Sequence, residues 1–148
     1  MKKILFSLVF VCGLLFSAAS YQIATAASAV FSFRIKADIP FDFQVGKKKF
    51  PKGDYIVESV GSTGTVLIRR EKGGKAINVL TIKDKQTDKH KSKLMFRRYG
   101  DQYFLARIWD GSSDSVLKIE KTSAEKKVAK LYKDKSGKDE DEVPVSEK

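Results

Sequence analysis

One stretch constrains the fold more than any other. Leu94 to Tyr99 and Gln102 to Trp109 are two aromatic-rich runs separated by Gly100-Asp101. Glycine takes the positive φ that a tight turn needs, so the stretch predicts a β-hairpin with a two-residue loop. In that register Phe96 faces Leu105 and Arg98 faces Tyr103. Leu94, Phe96, Tyr103, Leu105 and Trp109 then share one face, and Met95, Phe104, Ala106 and Ile108 share the other. The second strand is therefore apolar on both sides. Such strands lie centrally in a sheet or between two layers. Each large apolar side chain buried there contributes roughly 1.5–3 kcal/mol before entropy is counted. A slip of one residue would exchange the faces, so turn and core pattern must agree.

The N-terminus predicts an address. Met1-Lys2-Lys3 is basic, Ile4 to Phe16 is apolar, and Ser17 to Ala29 is rich in small residues. This is the pattern of a secretory signal peptide spanning residues 1–26, cut after Ala26, with Ala29 as the other cleavage position. The apolar core is shorter than the ~20 residues a membrane helix needs, so no span is expected after cleavage. Cys12, the only cysteine, leaves with this segment. Val11 before it and the apolar residues after it do not suit lipid attachment. A periplasmic or extracellular domain without disulfides must rely on its core. The 122 residues that remain suffice for one domain. Removing Lys2 and Lys3 takes the net charge from +11 to +9. Such a charge favours anionic surfaces, or simply keeps a protein soluble.

The remaining chain alternates in short runs. Ala29–Ala37, Phe41–Val45, Asp54–Val60, Thr65–Arg70, Ala76–Ile82 and Ser115–Ile119 read as strands. Pro40 marks a bend, Gly46 to Lys49 a turn, and Pro51-Lys52-Gly53 a further turn. Lys83–Ser92 has no apolar residue and is expected as an exposed loop. Thr122-Ser123-Ala124-Glu125 matches a capping box. Ala124, Val128, Leu131 and Tyr132 form the apolar stripe of a helix over 123–133. Residues 134–148 are charged and are expected to be a disordered tail. With the hairpin this makes about eight short, mainly antiparallel strands in one domain over 29–133. The fold class is all-β, a sandwich or small barrel with a short C-terminal amphipathic helix. Lysine-studded strands of this length do not suit an outer-membrane barrel.

Ile39-Pro40-Phe41-Asp42-Phe43-Gln44-Val45-Gly46, Phe50-Pro51-Lys52-Gly53-Asp54-Tyr55 and Arg98 to Leu105 with Ile108-Trp109 carry a resemblance. Over about Ile35 to Lys133 the chain resembles a group of small secreted proteins common in Acidobacteria. The resemblance implies fold and export and brings no catalytic or binding residue. Similar proteins often have a proline before the last helix, which Ile119-Glu120-Lys121-Thr122 lacks.

Residues with chemical potential are few. His90, the lone histidine, sits in a polar loop beside Asp88 with nothing apolar to build a pocket. One histidine without cysteine does not make a zinc site. Asp110 to Asp114 lacks calcium-loop spacing and reads as Asx-turn chemistry. Asp38 and Asp42 flank Pro40, where capping the bend competes with carboxylate-pair catalysis. Gly73-Gly74-Lys75 reads as a hairpin turn rather than a phosphate loop. Arg97, Arg98 and Arg107 interleave with Tyr99, Tyr103 and Trp109, which would suit single-stranded nucleic acid. Export and the two-sided core pattern favour cross-strand packing instead. No catalytic, cofactor or metal site is expected. The expected function is non-enzymatic binding or support in the envelope, on an anionic polymer or a protein partner. The alternative is a small barrel carrying an apolar ligand among its ten phenylalanines.

Overall fold

A computed structural model describes residues 33–61, 64–85, 91–111, 115–136 and 141–148. The expected leader with its expected cleavage positions, Asp88 and His90, and Ser112 to Asp114 lie outside the described residues. The protein is mostly β, with strands in two sheets and one C-terminal helix. The first sheet has the order β1 (Arg34–Ile39), β4 (Gly53–Val60), β5 (Thr65–Arg70), β6 (Ala76–Leu80), all antiparallel. The second has the order β11 (Asp141–Ser146), β8 (Lys93–Tyr99), β9 (Gln102–Trp109), β10 (Ser115–Lys118), β7 (Ile82–Lys85). A short hairpin of β2 (Phe43–Val45) and β3 (Lys48–Phe50) lies beside β9, with β2 parallel to it. Helix α1 covers Ser123–Ser136.

The central hairpin forms in the expected register. Phe96 pairs with Leu105, Arg98 with Tyr103, and Tyr99 with Gln102 around the Gly100-Asp101 loop. Gly100 has φ 62° and Asp101 does not have positive φ, so only the first loop residue needs glycine. Farther along, Met95 pairs with Arg107 while its neighbour Phe96 pairs with Leu105. Ala106 is the extra residue of a β-bulge, and a bulge reverses the alternation beyond it. Ile108 therefore joins Leu94, Phe96 and Leu105 in the main core, and Trp109 joins Met95 and Val116 on the opposite face. This corrects the expected faces of those two residues.

The main core lies between the sheets. It combines Ile35, Ala37 and Ile39, Tyr55 and Val57, and Val66 and Ile68 with Phe43, Val45 and Phe50 and the inward residues of β8 and β9. Its rings pack on one another. Phe43 lies 5.4 Å from both Phe50 and Phe96 and 5.0 Å from Tyr55, centroid to centroid. Edge-to-face pairs at such distances add about 0.5–1.5 kcal/mol beyond burial. The other face of β8 meets α1, where Tyr99 packs on Tyr132 with ring centroids 6.0 Å apart and Arg97 pairs with Glu125. β9 is central in its sheet and buried on both faces, with β8 on one side and β2 and β10 on the other. That position explains its two apolar faces.

The two sheets meet along both margins, giving a half-barrel. On one side the expected strand Ala76–Ile82 divides at Thr81, where the chain leaves β6 for β7. Thr81 donates both its N–H (2.9 Å) and its hydroxyl (2.7 Å) to the Gly64 carbonyl. Gly64 has φ 72°, and a Cβ there would lie 3.1 Å from the Thr81 carbonyl oxygen, so the junction requires glycine. On the other side β11 pairs with β8, and the Lys148 N–H reaches the Lys36 carbonyl of β1 at 2.9 Å.

Three further expectations need correction. Residues 141–146, expected within a disordered tail, form β11, because Val143 and Val145 alternate inward against the open edge of β8. Pro144 is tolerated on this edge strand. Ile82–Lys85, expected mostly as loop, pairs with β10; its side chains are all exposed, and backbone pairing needs no apolar face. Lys48 and Lys49, expected in a turn, belong to β3.

The helix also differs in phase. It extends to Ser136, and its inward stripe is Glu125, Val128, Ala129 and Tyr132, while Ala124 and Leu131 are exposed. The capping box is half formed. Thr122 Oγ1 accepts the Glu125 N–H at 3.2 Å. The Glu125 carboxylate, however, turns to Arg97 of β8, accepting Nε at 2.6 Å and Nη2 at 3.2 Å. Tyr99 O–H donates to the same carboxylate at 3.4 Å. This buried bidentate pair ties the helix to β8, and the inward stripe takes Glu125 and Ala129 in place of Ala124 and Leu131.

Candidate anion-binding surface

Two segments far apart in sequence lie side by side at one end of the half-barrel. The first runs from the β2–β3 turn through the β3–β4 turn and carries Lys47, Lys48, Lys49 and Lys52. The second, between β5 and β6, carries Lys72 and Lys75. Two long contacts join them: Lys75 Nζ donates to the Lys49 carbonyl and Lys48 Nζ to the Ala76 carbonyl, both at 3.4 Å.

Local chemistry fixes each turn. Gly46 (φ 61°) closes the β2–β3 hairpin. Asp42 Oδ1 accepts the Lys52 N–H at 2.9 Å, and the Tyr55 hydroxyl donates to the Pro51 carbonyl at 2.6 Å. Gly73 and Gly74 both have positive φ in the second turn, which glycine adopts without strain.

The carboxylates around these turns are mostly engaged elsewhere. Glu71 pairs with Lys36 at 2.7 Å and Asp54 with Lys148 at 3.0 Å. The hydrogen bond and charge of Lys148 hold the Asp54 carboxyl below the usual range, and those of Lys36 do the same for Glu71. The Lys148 ammonium is raised in turn by Asp54. Among the described residues none of Lys47, Lys48, Lys49, Lys52, Lys72 and Lys75 makes an ion pair. Six cations without an ion-pair partner on two adjoining segments produce a positive potential that screens over ~10 Å at 0.1 M salt.

A groove of about 450 Å³ opens between the β2–β3 hairpin and the tip of the central hairpin. Lys49 and Lys75 stand on its lysine side, and Asp101, Gln102 and Tyr103 on the hairpin side. Asp42, Gln44 and Pro51 complete its polar and aliphatic lining.

The sequence-predicted candidates among the described residues take separate places in the fold. Asp42 caps the 51–53 turn, and Asp38 projects from the exposed face of β1. The Arg–aromatic set is divided between layers. Arg97 is buried with Glu125, Arg98 Nε bonds the Gly100 carbonyl at 2.9 Å, and Tyr99 and Trp109 are buried. Tyr103 stacks on Phe41 at 3.9 Å, with the Arg98 guanidinium 5.9 Å from its ring. These rings pack across strands. Among the described residues no group of three metal-ligating side chains occurs, and no helix is long and apolar enough to cross a membrane.

Two charge centres were missed. One is Arg97–Glu125, concealed because Glu125 also fits a capping box. The other is Glu58 on the outer face of β4, buried between Arg34 (3.0 Å) and Arg69 (3.1 Å). Arg69 donates a hydrogen bond to Glu58 Oε1, whereas the Arg34 contact to Oε2 is an ion pair without hydrogen-bond alignment. Glu58, Arg34, Arg69 and Arg97 were legible only as charges on strands, and Glu125 only as a helix cap.

No family model, curated protein or solved structure matches this chain.

Proposed function

We propose that the chain is an exported, non-enzymatic binding domain that docks through its lysine-rich end on an anionic polymer of the cell envelope or its surroundings. The convergence of the 47–52 and 72–75 turns carries this reading. A charge spread evenly over the surface would serve solubility, whereas six unpaired lysines on one end focus a field that a polyanion can use. The packing of the phenylalanine rings on each other favours a surface role over carriage of an apolar ligand. Retention of the purified chain on immobilised heparin at low ionic strength, lost at moderate salt, tests it. Flow-through at low salt would remove the reading.

A further inference from the structure

The geometry points to the groove beside the lysine turns as a subsite for an acidic sugar unit, so that the polymer recognised is a polysaccharide bearing carboxylates. This inference rests on the proposed docking reading and narrows it to one ligand chemistry.

The groove combines three kinds of group. Lys49 and Lys75 supply cations at one side. Gln44 and Gln102 supply planar amides, joined to each other only by one bond at 3.5 Å, the limit of hydrogen bonding. An amide has two N–H donors and a two-lone-pair oxygen. Among the described residues the Gln44 oxygen and the Gln102 N–H groups have no protein partner, so they are available to hydroxyls. Asp42 and Asp101 then place carboxylates in the same groove. Carboxylates accept sugar hydroxyls but repel closely spaced anionic charge. A phosphate backbone would meet those two acids unfavourably. A sugar chain carries one charge per ring at most sites and many hydroxyls, and so meets cations, amides and acids together. The volume, about 450 Å³, is in the range of small-ligand clefts.

NMR titration of the purified chain with trigalacturonate, a neutral glucose trimer and polyphosphate tests the assignment. Trigalacturonate is expected to shift the side-chain amide resonances of Gln44 and Gln102, and to bind at least about tenfold tighter than the neutral trimer, or about 1.4 kcal/mol. Polyphosphate is expected to shift the backbone amides of the lysine turns and leave those side chains unmoved. The double variant Gln44→Ala/Gln102→Ala changes only partly or fully exposed side chains. It is expected to lose about tenfold in trigalacturonate affinity while polyphosphate still shifts the backbone amides around the lysines. Unmoved glutamine amides with trigalacturonate, equal binding of the neutral trimer, equal movement of those amides by polyphosphate, or an unweakened double variant would each overturn the assignment. Heparin retention combined with any of these outcomes overturns the subsite alone. Failure of retention at low salt overturns the docking reading beneath it.

Discussion

Replacing Glu125 by alanine isolates the force that holds the helix on the sheet. The Arg97 and Glu125 side chains are only 5% and 4% exposed, and the guanidinium also reaches the Ile119 carbonyl at 3.4 Å. Glu125→Ala leaves that guanidinium buried without its counter-charge. Removing one partner of a buried pair costs about 3–5 kcal/mol. Helix propensity acts the other way, since alanine is the better helix former. The Thr122 cap is retained too, because it receives the residue-125 backbone N–H. At about 4 °C per kcal/mol for a domain of this size, the melting temperature should fall by about 12–20 °C. Urea unfolding should give the same free energy through a lower midpoint at an unchanged slope. The double variant Arg97→Met/Glu125→Leu removes both charges and is expected to recover most of the loss. A single variant that costs less than about 1 kcal/mol would refute this account of the helix. So would a double variant as unstable as the single one.

Three further outcomes follow from the margins of the half-barrel. Gly64→Ala forces a side chain into positive φ against the Thr81 carbonyl and should cost about 1–2 kcal/mol in urea melts, whereas Gly61→Ala strains φ alone and should cost less. Acid should loosen the C-terminal closure. Asp54 and Glu71 have depressed folded pKa values, so their stabilisation is present above the unfolded value near 4 and is lost as pH falls through the folded values. Hydrogen exchange corrected for intrinsic rates should therefore show the Lys148 amide losing protection in that acidic window before the β8–β9 amides do; simultaneous loss would contradict it. Deleting residues 141–148 should open the β8 edge and cause self-association visible by light scattering, and a stable monomer would count against β11 as edge cover.

The hairpin was legible because its turn residue and its apolar runs agree, and Gly100 sits where the loop demands. The faces beyond Met95 were not, since Ala106 leaves no mark as a bulged residue and reverses Ile108 and Trp109. Glu125 satisfied a local pattern so well that its long-range partner was hidden. The C-terminal strand was hidden for the opposite reason: two acids, a proline and a serine surround its two valines, yet an open edge needs mainly backbone and those two inward side chains. For the candidate surface, net charge was readable and location was not. Lys49 and Lys75 become neighbours only through the pairing of β2 with β3 and β5 with β6 around a common core.

Matched charge variants test the surface most directly. Lys48, Lys49, Lys52 and Lys75 are changed to glutamine in one protein, and the exposed helix residues Lys126, Lys127, Lys130 and Lys135 in another, so both lose the same net charge. Elution from heparin in a salt gradient should shift strongly to lower salt for the turn variant and only slightly for the helix variant. Equal shifts would mean that the polyanion senses total charge, and the lysine-rich end would have no special part in binding.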